Sequence, residues 1–278
     1  MDYKTILYEV SGNIGRITLN RPGQRNAQNE ALILELDSAL KAAEANDDVR
    51  VIVISGAGAS FSSGHDMRLY DRADGSLYRA PNVEGRWDYE RSMFYDRCLA
   101  IWDSPKPTIA QVQGHCLSAG LMIAGMCDII IAADDAQFGD PVVRMGAASV
   151  ELLLHPWLFG VRRAKEMLFT GDPINAQEAK LLGAVNRVVP KERLEEETRA
   201  LAERIAKMPP FALRMVKHSL NRTLDFMGFR NALNAHFDVH QVAHATSEIQ
   251  ALLDRARQEK EFKQFVADRD APFRAPAK

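Results

Sequence analysis

Two short glycine-bearing segments have the composition of turns that can bind an oxyanion. Residues 61–66 have the sequence FSSGHD, and residues 114–120 have the sequence GHCLSAG. Glycine and small residues let the backbone approach a ligand closely and leave N–H groups pointing outward. If the two turns meet, two backbone N–H donors can be aimed at one oxygen, as an oxyanion hole requires. The chemistry that such a site supports is stabilisation of an enolate or of a tetrahedral oxyanion of an acyl group.

Each turn follows a short apolar segment that is typical of a buried strand. The pattern predicts strands at residues 5–10, 14–19, 49–55, 108–112 and 128–133. It predicts helices over residues 29–45 and 87–102, and a surface loop or flap over residues 67–86. The order of strand, turn and helix recurs along the first two-thirds of the chain, which predicts an α/β fold.

The last third of the chain has no strand pattern. Helices are predicted there at residues 191–207, 211–224, 229–245, 247–257 and 258–267. We therefore predict an α/β core over residues 1–195 and a helical region over residues 196–278. The apolar faces of these helices are expected to pack on the core or on another subunit.

Composition argues against several function classes. The chain has 278 residues and a formal net charge of −2, which gives no reason to expect nucleic acid or an anionic membrane as a partner. Its three cysteines are too few for a disulfide framework, and none has metal-ligand spacing. No signal peptide and no apolar run of about 20 residues is visible in the sequence. We expect a soluble, cytoplasmic protein.

Several motifs occur in a distinctive order. They are NRP at residues 20–22, NA at 26–27, SG at 55–56, CDIIIA at 127–132, QFG at 137–139 and TGD at 170–172. With the two glycine turns between them, the chain resembles the crotonase, or enoyl-CoA hydratase/isomerase, superfamily. The resemblance runs from about residue 5 to about residue 265.

The resemblance implies a crotonase-like spiral of ββα units followed by a C-terminal helical region that packs trimers, often paired into hexamers. The ligand would be a coenzyme A thioester, with no cofactor other than the coenzyme A of the substrate itself. The backbone N–H groups of His65 and Ala119 would occupy the two oxyanion-hole positions. Alanine in place of the usual glycine at position 119 keeps the N–H donor.

The chain departs from the hydratase pattern at both proton-handling positions. That pattern has one glutamate shortly after the second glycine turn and another after the QFG segment. Met122 and Val142 stand at these positions, and neither side chain can exchange a proton. Hydration needs a water to be deprotonated at one carbon and a proton to be delivered at the next. Hydration by the usual pair is therefore in doubt.

Three nearby groups are candidate substitutes. Glu151 is the first, because it lies on the turn where isomerases of the superfamily carry a single catalytic carboxylate, one residue out of register. Apolar neighbours are expected to bury it partly and to raise its pKa. Asp140 and His155 are the alternatives, and the side chain of His65 is a further one. The competing interpretations are a capping glutamate, a turn aspartate and structural histidines.

Coenzyme A carries several phosphate charges, so cationic residues should meet it. Arg21, Arg25 and Lys263 are the candidates. The resemblance also assigns substrate-binding positions to Ala27, Ser63, Gly64, Asp66, Gly120, Met122 and Val142. An acyl pocket is expected to be lined by Met67, Leu69, Tyr70, Trp157 and Phe159.

His236, His240 and His244 are spaced by four residues and so share one helical face. This spacing could bind a metal, but no carboxylate motif accompanies it. We expect a packing or interface face and no metal site.

The predicted function is that of an enoyl-CoA hydratase/isomerase-like enzyme that acts on an acyl-CoA thioester through an enolate. One alternative is a double-bond isomerase that uses Glu151 alone, because a double-bond shift needs only one group to take and return a proton. The other alternative is an acyl-CoA-binding homologue without hydratase activity.

Overall fold

The computed structural model describes residues 2–67, 82–249, 251 and 262–273. The described residues form two sheets. Their strands are β1 (Ile6–Ser11), β2 (Ile14–Leu19), β3 (Val51–Gly56), β4 (Thr108–Val112), β5 (His115–Leu117), β6 (Ile129–Ala133), β7 (Gln137–Gly139), β8 (Ile174–Asn175) and β9 (Arg187–Val189). The main sheet has six strands in the order β1-β2-β3-β4-β6-β9, and β5-β7-β8 form a smaller one.

In the main sheet, β1 and β2 form an antiparallel hairpin and every later neighbouring pair is parallel. Parallel strands need crossover connections, which the helices supply. The helices are α1 (Glu30–Ala45), α2 (Val83–Glu90), α3 (Asp96–Asp103), α4 (Ala119–Met126), α5 (His155–Thr170), α6 (Ala176–Leu181), α7 (Leu194–Ala206), α8 (Pro210–Phe226), α9 (Phe229–His244) and α10 (Phe262–Asp270). The α/β prediction is confirmed.

The predicted helix over residues 29–45 begins one residue later, at Glu30. Asn29 is its N-cap, and the Asn29 side chain accepts a hydrogen bond of 3.0 Å from the backbone N–H of Leu32. This cap satisfies one of the free N–H groups of the first helical turn.

The predicted helix over residues 87–102 is longer and not uniform. A π-helical segment, Arg91–Tyr95, joins α2 to α3. Wider turns of this kind shift the side-chain positions on a helix. Here the segment supplies Met93, Phe94 and Tyr95, all buried.

The main sheet is covered on both faces. All six residues of β3 are buried. Ile52 and Ile54 belong to the larger core, with side chains of α1, while Val51 and Val53 pack in a second cluster with side chains of α7. A strand buried on both faces reads as a continuous apolar run, which is why residues 51–54 carry no alternation.

The predicted boundary between residues 195 and 196 falls inside α7, the helix that packs against the second face of the main sheet. The division into a core and a helical region stays a prediction. Of the last two predicted helices, residues 250 and 252–261 lie outside the described residues. Helix α10 begins at Phe262.

Candidate active site

The two glycine turns lie against each other. Ser62 and Cys116 form a parallel bridge, in which the Ser62 N–H donates to the His115 carbonyl at 2.9 Å and the Leu117 N–H donates to the Ser62 carbonyl at 3.0 Å. The second turn therefore contains a strand, β5, that the sequence did not indicate. Gly120 lies so close to the first turn that a Cβ there would be 2.6 Å from the Ser62 carbonyl oxygen.

Gly64 brings the first turn over the start of α4. Its φ is +99°, in the region that glycine tolerates. A Cβ on Gly64 would lie 3.0 Å from the Cβ of Ser118 and 3.5 Å from the backbone nitrogen of Ala119. Ala119 is the first residue of α4, so it has the ordinary backbone conformation that alanine requires, and Ser118 before it takes the positive φ of 49°.

Two backbone donors remain unengaged at this junction. Among the described residues, neither the His65 N–H nor the Ala119 N–H donates a hydrogen bond. Neighbouring amides are occupied, since Asp66 N–H donates to the Gln28 carbonyl at 2.9 Å and Ser118 N–H donates to the Gly139 carbonyl at 2.8 Å. Helix α4 also presents its N-terminus here, where unpaired N–H groups favour negative charge.

The side chain of His65 contacts Glu151. His65 Nε2 lies 3.1 Å from Glu151 Oε2, and the Glu151 side chain is buried. The His65 ring also packs on Phe94 of the π-helical segment, with ring centroids 4.0 Å apart. Because a carboxylate accepts and the ring N–H donates, the pair fixes a proton on His65 Nε2. The sequence did not predict this contact between residues 86 positions apart.

The expectation of a raised pKa for Glu151 is wrong. Burial alone favours the neutral acid, but the charge and the hydrogen bond of His65 outweigh it and lower the pKa of Glu151 to about 2. Glu151 is therefore a carboxylate at neutral pH.

Asp140 lies in a different setting from that expected of a proton donor. It is fully buried and accepts hydrogen bonds at Oδ1 from Ser118 Oγ (3.3 Å) and Val142 N–H (3.2 Å), and at Oδ2 from Ser149 Oγ (2.5 Å) and Val150 N–H (3.3 Å). These bonds hold the loop that carries Glu151.

His155 opens helix α5 and is buried beside Asp140, with its Nε2 3.5 Å from Asp140 Oδ2. Neither ring nitrogen has a hydrogen-bond partner among the described residues. Burial lowers the pKa of His155, which leaves it uncharged at neutral pH.

Helix α9 supports the same loop from the other side. His236 Nε2 donates to the Val150 carbonyl at 2.9 Å, and His240 Nδ1 donates to the Ser149 carbonyl at 2.8 Å. The spacing of these histidines had indicated a packing face, which these contacts bear out. No carboxylate motif stands beside them in the sequence, but the fold brings Glu90 to them, with Glu90 Oε2 3.2 Å from His240 Nε2.

Met122 and Val142, which are predicted to stand in place of the two hydratase glutamates, both have apolar side chains. Met122 is buried in α4, and Val142 is partly buried against the core. The carboxylate next to Val142 is that of Asp140, which accepts from the Val142 N–H.

The cationic residues predicted to meet coenzyme A differ in their surroundings, because Arg21 is bonded within the protein and Arg25 is exposed. Arg21 Nη2 forms an ion pair of 2.9 Å with Asp66 Oδ2, and Arg21 Nη1 donates to the Ala27 carbonyl. Arg25 is exposed, and its carbonyl accepts from the Ser63 N–H at 3.0 Å. Lys263 lies in α10. No contact here tests the binding roles predicted for these residues.

The predicted acyl pocket stays a prediction. A cavity of about 10 Å³ lies beside His65, lined mainly by apolar residues such as Leu36, Phe94 and Ile101. Trp157 packs edge-on against Phe229, and Phe159 is buried near His155. Leu69 and Tyr70 lie outside the described residues.

In the described part of the chain, no helix is both long and apolar enough to cross a membrane.

Comparison with known proteins agrees with this fold and identifies a family. A family model described as enoyl-CoA hydratase/isomerase matches residues 9–275. One relative is the protein of Mycobacterium tuberculosis that is named as the enoyl-CoA hydratase EchA13. It is 42% identical to this chain over 262 residues, which cover 88% of this chain and 82% of that protein.

Solved structures agree in fold over nearly the whole chain. A crystal structure of an enoyl-CoA hydratase/isomerase from Xanthobacter autotrophicus superposes with a TM-score of 0.91 at 35% identity, covering 99% of this chain and 100% of that one. A crystal structure of an enoyl-CoA hydratase from Mycobacterium smegmatis superposes with a TM-score of 0.87 at 31% identity, covering 98% of this chain and 96% of that one. The crotonase-like fold is confirmed.

Proposed function

Because the chain belongs to the enoyl-CoA hydratase/isomerase family, we propose that it acts on an acyl-CoA thioester through an enolate. The observation that carries this proposal is the pair of unengaged N–H groups of His65 and Ala119, beside a buried ionised Glu151. The amides stabilise the charge on the thioester oxygen, and Glu151 accepts the proton that leaves the neighbouring carbon.

The oxyanion hole rests on the approach of the two turns. Gly64 leaves the space beside the Ala119 nitrogen open, because any side chain there would fill it. Backbone donors fixed by β5, β7 and α4 need no rearrangement when charge develops on the substrate oxygen. Removal of one such donor typically costs about 10²–10³ in kcat.

Glu151 is the proton acceptor in this proposal, and His65 sets its ionisation. A carboxylate held ionised by a neighbouring histidine is ready to take a proton and holds it weakly. Such a group suits a reaction in which the proton is returned within the same turnover.

A double-bond shift meets this description better than hydration. The C2–H bond of a 3-enoyl thioester breaks, and its electron pair moves to the carbonyl oxygen as the proton passes to Glu151. The same proton returns at C4 while the double bond moves to C2–C3. Hydration would need a second proton-handling group, and Met122 and Val142 occupy the places where the hydratase pattern has its pair.

A second candidate is an acyl-CoA-binding protein that does not turn its ligand over. The specific observation that favours it is the low pKa of Glu151, since a base is most effective when its pKa lies near the working pH. In that case the thioester would bind at the same two amides.

We extend the proposal to the coenzyme A moiety and to assembly. Exposed Arg25, with Lys263 of the same or a neighbouring subunit, is the cationic group proposed to meet the phosphates, and no cofactor beyond coenzyme A is required. Self-association as a trimer or hexamer is supported by large exposed apolar side chains on α8, namely Phe211, Leu220 and Phe226. A cytoplasmic location is part of the same proposal.

The test compares the parent with Glu151→Gln on crotonyl-CoA and on a 3-enoyl-CoA. Loss of the proton acceptor should reduce the isomerisation rate by about 10²–10⁴ while acyl-CoA binding is retained. Glu203→Gln, an exposed acid of α7, is the matched control and should behave as the parent. Equal turnover by the parent and Glu151→Gln would overturn the assignment, and acyl-CoA binding without conversion by the parent would favour the second candidate.

A further inference from the structure

A cluster of two histidines and one glutamate lies where the end of α2 meets α9. His240 Nε2 is 3.0 Å from His244 Nε2 and 3.2 Å from Glu90 Oε2. One ligating atom from each of the three side chains lies within 4.8 Å of the others. Glu90 and His240 are buried, and His244 is half-buried. The catalytic proposal makes no use of Glu90 or His244.

Two of these separations are close to those between ligands of one metal ion. Bonds from Zn²⁺ to histidine nitrogen and carboxylate oxygen are about 2.0–2.2 Å, which places tetrahedral ligand atoms about 3.3–3.6 Å apart. The observed 3.0 and 3.2 Å are within a few tenths of an ångström of that spacing. Histidines at positions i and i+4 of one helix are a frequent source of such a pair.

The orientation of His240 is that of a metal ligand with an outer partner. Its Nδ1 must carry the proton, because the Ser149 carbonyl at 2.8 Å can only accept. Its other nitrogen, Nε2, faces Glu90 Oε2 at 3.2 Å and His244 Nε2 at 3.0 Å. Metal-binding histidines commonly donate their other N–H to a backbone carbonyl in this way.

Glu90 adds a buried negative charge. Its side chain is completely buried, and Gln241 Nε2 donates to its Oε2 at 2.6 Å. Glu90 Oε1 has no hydrogen-bond partner among the described residues. A buried carboxylate needs a compensating charge, and a divalent ion would supply it while engaging the open oxygen.

The cluster can be reached from outside. A cavity of about 390 Å³ lies beside it, lined by Arg86, Gln241 and His244 among others. The cavity provides an entry path from solvent to His244.

We propose that Glu90, His240 and His244 bind a divalent first-row transition metal of the Zn²⁺ type. Two imidazoles and one carboxylate suit Zn²⁺, whereas Mg²⁺ and Ca²⁺ take oxygen ligands. The ion ties α2 to α9 and, through His240, braces the Ser149 carbonyl in the loop that carries Glu151. It is a structural site, and it does not depend on the proposed function.

The test is Zn²⁺ binding by the full chain without substrate. Calorimetric titration and elemental analysis after dialysis should give one Zn²⁺ per chain, with a Tm that rises on Zn²⁺ addition. His244→Ala should weaken Zn²⁺ binding by at least about tenfold. Loss of a residue that only hydrogen-bonds to a metal ligand already costs about 10–100-fold in affinity, and His244 is proposed to be a ligand itself. His218→Ala, at an exposed histidine of α8, is the matched control and should bind as the parent.

No stoichiometric Zn²⁺ on the parent would overturn the proposal and leave a metal-free Glu90–His240 ion pair. Equal affinity in the parent and His244→Ala would also overturn it. A second measurement needs no variant. Diethylpyrocarbonate modification of His244 in the parent, mapped by mass spectrometry, should fall at least tenfold when Zn²⁺ is present, and an unchanged rate would contradict the site.

Discussion

Glu151 and His65 show how two opposing effects set the state of one carboxylate. Burial pushes the pKa of Glu151 upward, while the charge and hydrogen bond of His65 push it down and prevail. The same residue, His65, contributes its backbone N–H to the proposed oxyanion hole. Its two parts can therefore be separated, because substitution removes the side chain and leaves the amide.

His65→Ala should raise the pKa of Glu151, since the carboxylate stays buried but loses the partner that favours its charge. The acidic limb of the kcat/KM profile should then move to higher pH, by about one unit or more. The measurement is a pH–rate profile on a 3-enoyl-CoA, with His218→Ala as the control. An acidic limb that stays in place would contradict the role given to His65.

Asp140 is a second buried carboxylate with a different task. Its two oxygens accept from two different backbone amides, those of Val142 and Val150. Asparagine can satisfy only one of them, because its NH₂ group would face the other. Asp140→Asn should therefore lower the free energy of unfolding by about 1–3 kcal/mol.

Urea denaturation monitored by circular dichroism measures this change in the free energy of unfolding. Because Asp140 acts only by holding the loop that carries Glu151, the kcat should fall by less than about 10². A variant as stable as the parent that had lost about 10² or more in kcat would instead make Asp140 a proton-transfer residue.

At the scale of elements, the decisive feature is the contact of two turns that lie about 50 residues apart in the chain. The strand β5 pairs with residues of the first turn on one side and with β7 on the other. This arrangement places the start of α4 beneath Gly64. The closeness of the turns depends on Gly120 having no side chain.

Gly120→Ala should force the turns apart, because its Cβ would lie 2.6 Å from the Ser62 carbonyl oxygen. We expect a loss of about 1–3 kcal/mol in the free energy of unfolding, the usual cost of overpacking, together with a lower kcat. Gly23→Ala is the matched control, since nothing lies within 4 Å of a Cβ at Gly23. Equal effects of the two substitutions would show that the contact is not tight.

The sequence was sufficient for the elements with strong local signals. The strand β3 and the helix α1 were predicted to within two residues, the strand from its apolar run and the helix from its apolar spacing. The short strands β5, β7 and β8 were not predicted, because two or three residues carry no periodicity. The Glu151–His65 and Glu90–His240 contacts also escaped, since they depend on how distant elements pack.

At the scale of the whole molecule, buried neutral histidines link folding to pH. Burial lowers the pKa of His155 and of His236 below the ordinary value of 6.5. As pH falls below about 6.5, the unfolded chain binds protons at these positions and the folded chain does not. The contribution of these two histidines to stability is therefore greatest above that pH and declines as the solution becomes more acidic.

His155→Gln should remove the part of this loss of stability at low pH that comes from His155. The parent should lose stability relative to the variant as the pH falls from about 7 to 5.5, at a rate of up to about 1.4 kcal/mol per pH unit for the one proton. Urea unfolding at several pH values measures the difference. A stability gap that is constant or grows in favour of the parent at low pH would contradict a neutral His155.

In the proposed function, Glu151 removes a proton from the carbon beside a thioester held at the His65 and Ala119 amides. Exchange of the C2 protons of a saturated acyl-CoA with deuterated water, followed by NMR, measures this step without any need for a double bond. We expect exchange by the parent and a rate about 10²–10⁴ lower for Glu151→Gln at saturating ligand. Exchange as fast in Glu151→Gln as in the parent would contradict it.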